Sequence, residues 1–528
     1  MYDDGATLLS LAPELVYAIA ERVSKRDRRR LRLTCKHLCD ILESQVLHTI
    51  YFGIQYNDHS EGIARLQSLA ATKDFSRGLS QWGRHLHIKP IHIALALEDG
   101  PDVLAREELI RTCIRNALDA LQNLKSVTWT PGKKDKAWTH EIIMDFLTSR
   151  PSLQMFQVHH KYLRVPVPLY RMQDLQEVIF IGFTSRRRVS PETYNDLARL
   201  VASPAGQLTK LSVVYTSLHQ IFQFLTPKAE PPRLKDLRMT RSFIKLDSFT
   251  IPHLRHLTCL HLLHMKDPDA SEDSDISDGS TLESPGGLKN REYRKGSQLS
   301  DFWSDLRLAR IYLKEISIDD INTGLLGYLA CYTGLTKLVV TRRFPSSFLP
   351  GSDALATLFF AKGLPSHGKT LEELTIDPHF KDCWCLGEDS MPAFSTCTGL
   401  RILKVCISTA DLPRARASSH IMEKILDMVS IHMPRLSQLS ISPSTAGAFH
   451  FSGPRKIYSL NMAAAQPAID CLLEYPIPLS TIVQFPSVII WSRRFDPNFV
   501  PQSPNELAAG DRSRLRYQEV KEMIYDEE

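Results

Sequence analysis

Leu371-Glu372-Glu373-Leu374-Thr375-Ile376 carries the pattern from which the fold is read: an apolar residue, two others, then two apolar residues flanking a polar one. The alternation of Leu374 and Ile376 about Thr375 has the period of two expected of a strand with one buried face. The same spacing, with apolar equivalents allowed, starts at Leu124, Leu153, Leu175, Leu208, Leu234, Leu257, Leu313, Leu335, Leu400 and Leu436. Successive starts in chain order differ by 29, 22, 33, 26, 23, 56, 22, 36, 29 and 36 residues. One or two such matches would decide nothing; eleven in series do.

Between the matches lie helical windows, at Arg106–Leu121, Glu192–Val201, Asp353–Phe360 and His420–Ser430. A helix over Glu61–Lys73 and a first short strand at Arg84-His85-Leu86-His87-Ile88 precede them. Strand and helix this short cannot bury their apolar faces alone, so they must stack on their neighbours. The intervals are mostly near the roughly 20–29 residues of a leucine-rich repeat, the longer ones reading as repeats with insertions. The expected fold class is therefore α/β, an N-terminal helical module followed by an irregular, curved repeat solenoid with parallel strands on its concave face.

The 528 residues are 43 % apolar and 23 % charged with a net charge of +5, the composition of a soluble globular protein and no argument for nucleic acid. Ten scattered Cys, no Asn-x-Ser/Thr acceptor and no secretory signal point to a reducing, cytoplasmic or nuclear setting. No apolar run approaches the roughly 20 residues that span a bilayer.

Expected boundaries are 1–52 for the helical module, 53–83 for a helical connector, 84–451 for the repeats and 452–528 for a terminal cap. The 56-residue interval holds an insertion at about 267–298, with seven acidic residues between Asp267 and Glu283 and a basic cluster after it. Such a composition buries too little apolar surface to order itself, and Ser271, Ser274 and Ser277 have the acidic neighbours that suit acidophilic kinases. The cap carries eight Pro between Pro454 and Pro504 and is expected to end in a charged helix, Asp511–Tyr525.

The stretch from Leu9 to Phe52 reads as three short helices. Pro13 and Glu14 suit a first helical turn, and Leu15, Ile19 and Val23 then form one apolar stripe. After a break at Ser24–Asp27, Leu31, Cys35, Leu38 and Leu42 form a second. Leu11, Pro13-Glu14-Leu15, Ile19, Val23, Leu31-Arg32-Leu33, Cys35-Lys36, Leu38 and Leu42 together resemble an F-box, as found in fungal F-box proteins with leucine-rich repeats. The pattern departs from that family at Ala12, where a Leu is usual, and in the strongly basic loop Lys25–Arg30.

The resemblance implies a substrate-recognition adaptor of a Skp-cullin-F-box ubiquitin ligase, partnered by the Skp adaptor and the cullin core, with ubiquitin transfer left to other subunits. The family's docking positions carry over to Leu11, Pro13, Leu15, Ile19, Leu31 and Leu33. A protein substrate would meet the outward strand residues between the second and third apolar positions: Thr128, Gln157, Ser212, Arg238, His261, Ser317, Thr375, Lys404 and Ser440. The rival reading is a repeat scaffold with no ubiquitin role, its N-terminal helices only a cap.

No catalytic set, metal or cofactor is expected. Gly363-Leu364-Pro365-Ser366-His367-Gly368-Lys369-Thr370 matches the phosphate-cradling P-loop, a remote alternative as a nucleotide-binding protein. Chance produces such a match in on the order of one chain in fifty of this length. A P-loop must run into a helix, whereas Thr370 leads into the repeat strand Leu371–Ile376. His253, His256, Cys259, His261 and His264 crowd together, but His261, lying between inward Leu260 and Leu262, is expected to point away from the others. Cys383, Cys385 and Cys397 are likewise not expected to bind metal, and the basic clusters Arg28–Arg30 and Arg186–Arg188 lack interleaved aromatics.

Overall fold

The computed structural model describes residues 11–54, 59–71, 79–91, 101–172, 174–181, 190–203, 206–265, 296–342, 351–378, 383–408, 421–444, 465–475, 477, 485–491, 493–499 and 515–520. The chain divides into two compact units, Met1–Lys235 and Asp236–Glu528. The acidic insertion up to residue 295, with its three serines, and the Arg186–Arg188 cluster lie outside the described residues.

The first unit opens with α1 (Pro13–Arg22), α2 (Lys25–Arg32) and α3 (Lys36–Leu47). The strands β1 (Thr49–Ile54), β2 (His85–Ile91), β3 (Ser126–Trp129), β4 (Met155–His159), β5 (Glu177–Ile181) and β6 (Lys210–Val214) follow. Each is parallel to the next, and helices such as His59–Ala70, Pro101–Asp119, Ala137–Thr148 and Pro191–Ala202 return the chain between them.

In the second unit β7 (Asp236–Thr240), β8 (Cys259–Leu263), β9 (Glu315–Ile318), β10 (Lys337–Arg342), β11 (Glu373–Pro378), β12 (Ile402–Ser408), β13 (Gln438–Ser444) and β14 (Ser487–Ile490) are parallel and sequential. Helices Gly296–Leu308, Thr323–Leu329, Ser352–Leu358 and Ile421–His432 lie between them in sequence. Two antiparallel strands, β15 (Arg493–Phe499) and β16 (Leu515–Glu519), end the row.

The register follows the sequence pattern. Leu260, Ile316, Leu338, Leu374, Leu403 and Leu439 are successive partners, as are Leu262, Ile318, Val340, Ile376, Val405 and Ile441, and all are buried. The Leu that opens each match, such as Leu335, Leu371 and Leu400, is buried too. Burying one such side chain contributes about 1.5–3 kcal/mol against about 1 kcal/mol net for a ladder hydrogen bond, so the apolar rows fix the register.

A backbone signature recurs at the repeat starts on both sides of β11. The second and third residues of a match donate to one carbonyl, that of the second residue in the repeat before: Glu372 and Glu373 N–H to Thr336 O, then Arg401 and Ile402 N–H to Glu372 O. Arg84 and His85 donate in the same way to His48 O, so the array begins at Leu47-His48-Thr49-Ile50-Tyr51-Phe52, one strand before the expected start at Arg84.

Two further expectations are corrected. Lys25–Arg30 is not a loop but most of α2, because the Ser24 hydroxyl accepts from Asp27 N–H at 3.1 Å and Asp27 lies in the first turn, at the positive end of the dipole. Residues 515–519, expected within a charged helix, are a strand whose inward Tyr517 is buried and donates to Pro486 O at 3.2 Å.

Candidate partner-binding surfaces

The N-terminal module has a core of its own. Val16 and Ala20 of α1 meet Leu38, Ile41 and Leu42 of α3, with Leu11, Tyr17, Leu31, Cys35 and Val46 packed against them. The inward face of α1 is thus Val16 and Ala20, one residue round from the expected stripe of Leu15, Ile19 and Val23. Leu15 and Ile19, one helical turn apart, remain 54 % and 40 % exposed, and Leu33 at the end of α2 is 77 % exposed. Pro13 is exposed at the start of α1, while Leu11 and Leu31 are half-buried against the core. Ala12 holds the N-cap position without a side-chain cap.

Basic α2 is tied to the first strand. Lys25 Nζ donates to the Tyr51 hydroxyl at 3.0 Å and lies 4.8 Å from the ring centroid, and Tyr51 stacks on His87 of β2 at 5.1 Å. The Arg28 Nε donates to Ala20 O at 2.8 Å and closes α2 onto α1.

The outward strand positions form one row in each unit. In the first, Tyr51, His87, Thr128, Gln157, Ile179 and Ser212 are register partners in turn. In the second, Arg238, His261, Ser317, Val339, Thr375, Lys404, Ser440 and Ile489 are. Most are half-buried and Lys404 is exposed, but Ser317 is only 7 % exposed, its short side chain covered between His261 and Val339. Tyr51, His87, Ile179, Val339 and Ile489 belong to these rows beside the expected polar residues.

The crowded histidines separate, but not as expected. Cys259 and His261 are two apart on one strand and therefore share its outward face, with Sγ and Nε2 3.1 Å apart. Asp236 on β7 joins them, one donor atom from each residue lying within 4.8 Å of the others, and this is the metal-type grouping among the described residues. The Cys259 thiol also donates to Glu315 Oε2 at 3.6 Å. His264 pairs instead with Asp319 at 3.1 Å, His253 is buried and His256 exposed. Cys385 donates to Ser444 Oγ at 3.3 Å, and Cys397 is buried against the Ala393 carbonyl, Sγ to O 3.8 Å.

The P-loop match is a packing element. Phe359–Gly363 ends a helix, Pro365–His367 is one 3-10 turn, and Glu373 starts β11, so no cradle precedes a helix. Lys369 is exposed, and the Thr370 hydroxyl donates to Leu335 O at 2.9 Å. A Cβ on Gly368 would lie 2.5 Å from Thr396 O, a backbone atom that cannot swing aside. Gly368→Ala should therefore destabilise the protein by about 2 kcal/mol, whereas Lys369→Ala should stay within about 0.5 kcal/mol of wild type, both measured by urea unfolding.

His367 bridges two carriers of the main chain, Nε2–H donating to Leu329 O at 3.0 Å and Nδ1 accepting from Leu335 N–H at 3.4 Å. Burial pushes its pKa down from 6.5 to about 4, only partly offset by the Leu329 carbonyl. Protonating Nδ1 would turn the acceptor against an N–H. Since the folded pKa is the lower one, this contribution is present above pH 6.5 and lost as pH falls towards 4. Between pH 7 and 4.5 the wild type should lose about 2–3 kcal/mol more of its unfolding free energy than His367→Gln does.

No protein-family model matches this chain, and no curated protein matches it. Among solved structures it is similar to the yeast Rad7 and Elc1 complex, at 12 % identity over 85 % of this chain and 96 % of that one, with a TM-score of 0.36. It is also similar to an internalin from Listeria monocytogenes, at 13 % identity over 62 % and 69 % of the two chains, with a TM-score of 0.25. Among the described residues no helix is long and apolar enough to cross a membrane.

Proposed function

We propose that the chain is a substrate-recognition adaptor of a Skp-cullin-F-box ubiquitin ligase. Its N-terminal module docks on the Skp adaptor through Pro13, Leu15, Ile19 and Leu33, with Leu11 and Leu31 supporting that face from the core side. The outward strand rows take a protein substrate, and the chain itself performs no chemistry. A reducing intracellular setting is part of this reading.

The observation that carries it is the exposure of Leu15, Ile19 and Leu33 on a module that already closes a core with Val16, Ala20, Leu38, Ile41 and Leu42. Leu15 and Ile19, one turn apart on α1, and Leu33 at the end of α2 offer apolar area for a partner to bury without disturbing that core. The substrate rows differ in chemistry, with Ile179, Val339 and Ile489 their aliphatic members among polar Ser, Thr and Gln, the rings of Tyr51, His87 and His261, and the cations Arg238 and Lys404. They therefore suit specific recognition rather than a greasy contact.

Gel filtration of the full-length chain mixed with purified Skp adaptor tests the proposal. Co-elution of the two is expected. Separate elution would leave the chain a repeat-based binding protein with a helical cap and no ubiquitin role.

A further inference from the structure

Asp236, Cys259 and Glu315 are successive rungs of one ladder across β7, β8 and β9, and His261 stands on the same face two residues beyond Cys259. The donor atoms of Asp236, Cys259 and His261 are mutually within 4.8 Å, with Sγ 3.1 Å from Nε2, and Glu315 Oε2 lies 3.6 Å from the same sulfur. Ligand bonds of about 2.0–2.3 Å set at tetrahedral angles place donors about 3.3–3.8 Å apart, so small side-chain rotations would bring these onto one ion. We propose that Asp236, Cys259, His261 and Glu315 form a binding site for a divalent cation of the zinc class, clamping β7, β8 and β9 together.

The donor set selects the ion. A thiolate and an imidazole are poor ligands for calcium or magnesium, which take oxygen, and good ones for zinc or cobalt. Four protein donors would also close the coordination sphere, as in structural rather than catalytic zinc sites. Supporting contacts are in place: Arg238 holds Asp236 through Nε at 3.2 Å and Nη2 at 3.0 Å, and a carboxylate has lone pairs to spare for a metal. Hydrogen bonds of this kind orient ligand carboxylates. Lys337, the rung beyond Glu315, pairs with Glu373 at 2.6 Å and also feels the charge of Glu315.

Burial first, then the neighbouring carboxylates of Asp236 and Glu315, raises the Cys259 pKa, and the thiol donates to Glu315 Oε2 at 3.6 Å. A dication would neutralise both carboxylates and let Cys259 bind as thiolate, its proton passing to buffer.

Cobalt(II), titrated into the full-length chain after treatment with a chelator, tests the site. Expected are saturation at one equivalent, a thiolate-to-cobalt charge-transfer band that zinc abolishes, and release of one proton per ion. Cys259→Ser should lose the band, and His261→Ala should weaken binding by more than the roughly 10–100-fold that a supporting contact costs. His261 is half-exposed, so its variant should fold and carry the test by itself if Cys259→Ser does not. Absence of the band in wild type, or a one-equivalent site with unchanged affinity in His261→Ala, would overturn the proposal.

Discussion

Exchanging Leu15 and Ile19 together for Asp is expected to lower affinity for the Skp adaptor by at least about a hundredfold, since each exposed Leu or Ile that a partner buries contributes about 1.5–3 kcal/mol. The two lie one turn apart on α1, outside the core of Val16 and Ala20. Thermal unfolding of the full chain should therefore shift little, as surface changes usually stay within about 0.5 kcal/mol. Leu33→Asp should act in the same direction. Binding of the double variant within about threefold of wild type would remove α1 from the docking face.

The second large effect lies in the first unit. Asp135 is 1 % exposed, and its carboxylate accepts from Gly132 N–H at 2.6 Å and Ile91 N–H at 3.0 Å, with His140 Nε2 3.8 Å away. It clips the chain just after β3 to the end of β2. Gly132 permits the closure, because a Cβ there would meet Asp135 Oδ1 at 2.5 Å and the Pro90 side chain at 2.7 Å. Burial alone would raise the Asp135 pKa, but His140 and the two N–H groups outweigh it and hold the carboxylate below its ordinary 3.8. Asp135→Ala strands two buried N–H groups at about 1–3 kcal/mol each, so a loss of about 4 kcal/mol is expected in urea unfolding at pH 7. With the folded pKa the lower one, the clip stabilises above about pH 4 and weakens as pH falls through that value. A loss under about 1 kcal/mol would mean that water replaces the carboxylate.

The repeat strands were legible because Leu374 and Ile376, and their equivalents, put strand period and burial into the same six letters. The first repeat had the same letters, Leu47-His48-Thr49-Ile50-Tyr51-Phe52, and was hidden by being read as the end of the helical module. Tyr51, on that strand, goes unseen with it. Helix α2 escaped notice because Lys-Arg-Asp-Arg-Arg-Arg has no apolar periodicity, although Ser24 followed three residues later by Asp27 is a capping signal. At residues 515–519 charge masked the alternation that puts Tyr517 inside.

Faces were harder to read than elements. On α1 the larger Leu15 and Ile19 advertise an inward stripe, yet the close approach of α3 selects Val16 and the small Ala20. At β8 the error was one of parity. Cys259 and His261, being two apart, share a side, and only the pairing with Asp236 and Glu315, brought from 23 and 56 residues away in sequence, makes them a group. No local pattern encodes that pairing; it follows from register fixed by the apolar rows.

Calorimetric titration of purified Skp adaptor into the full-length wild-type chain tests the adaptor role most directly. The expected result is one adaptor per chain at roughly micromolar affinity or tighter. No binding with the adaptor at about 100 μM, a hundred times that dissociation constant, would contradict it.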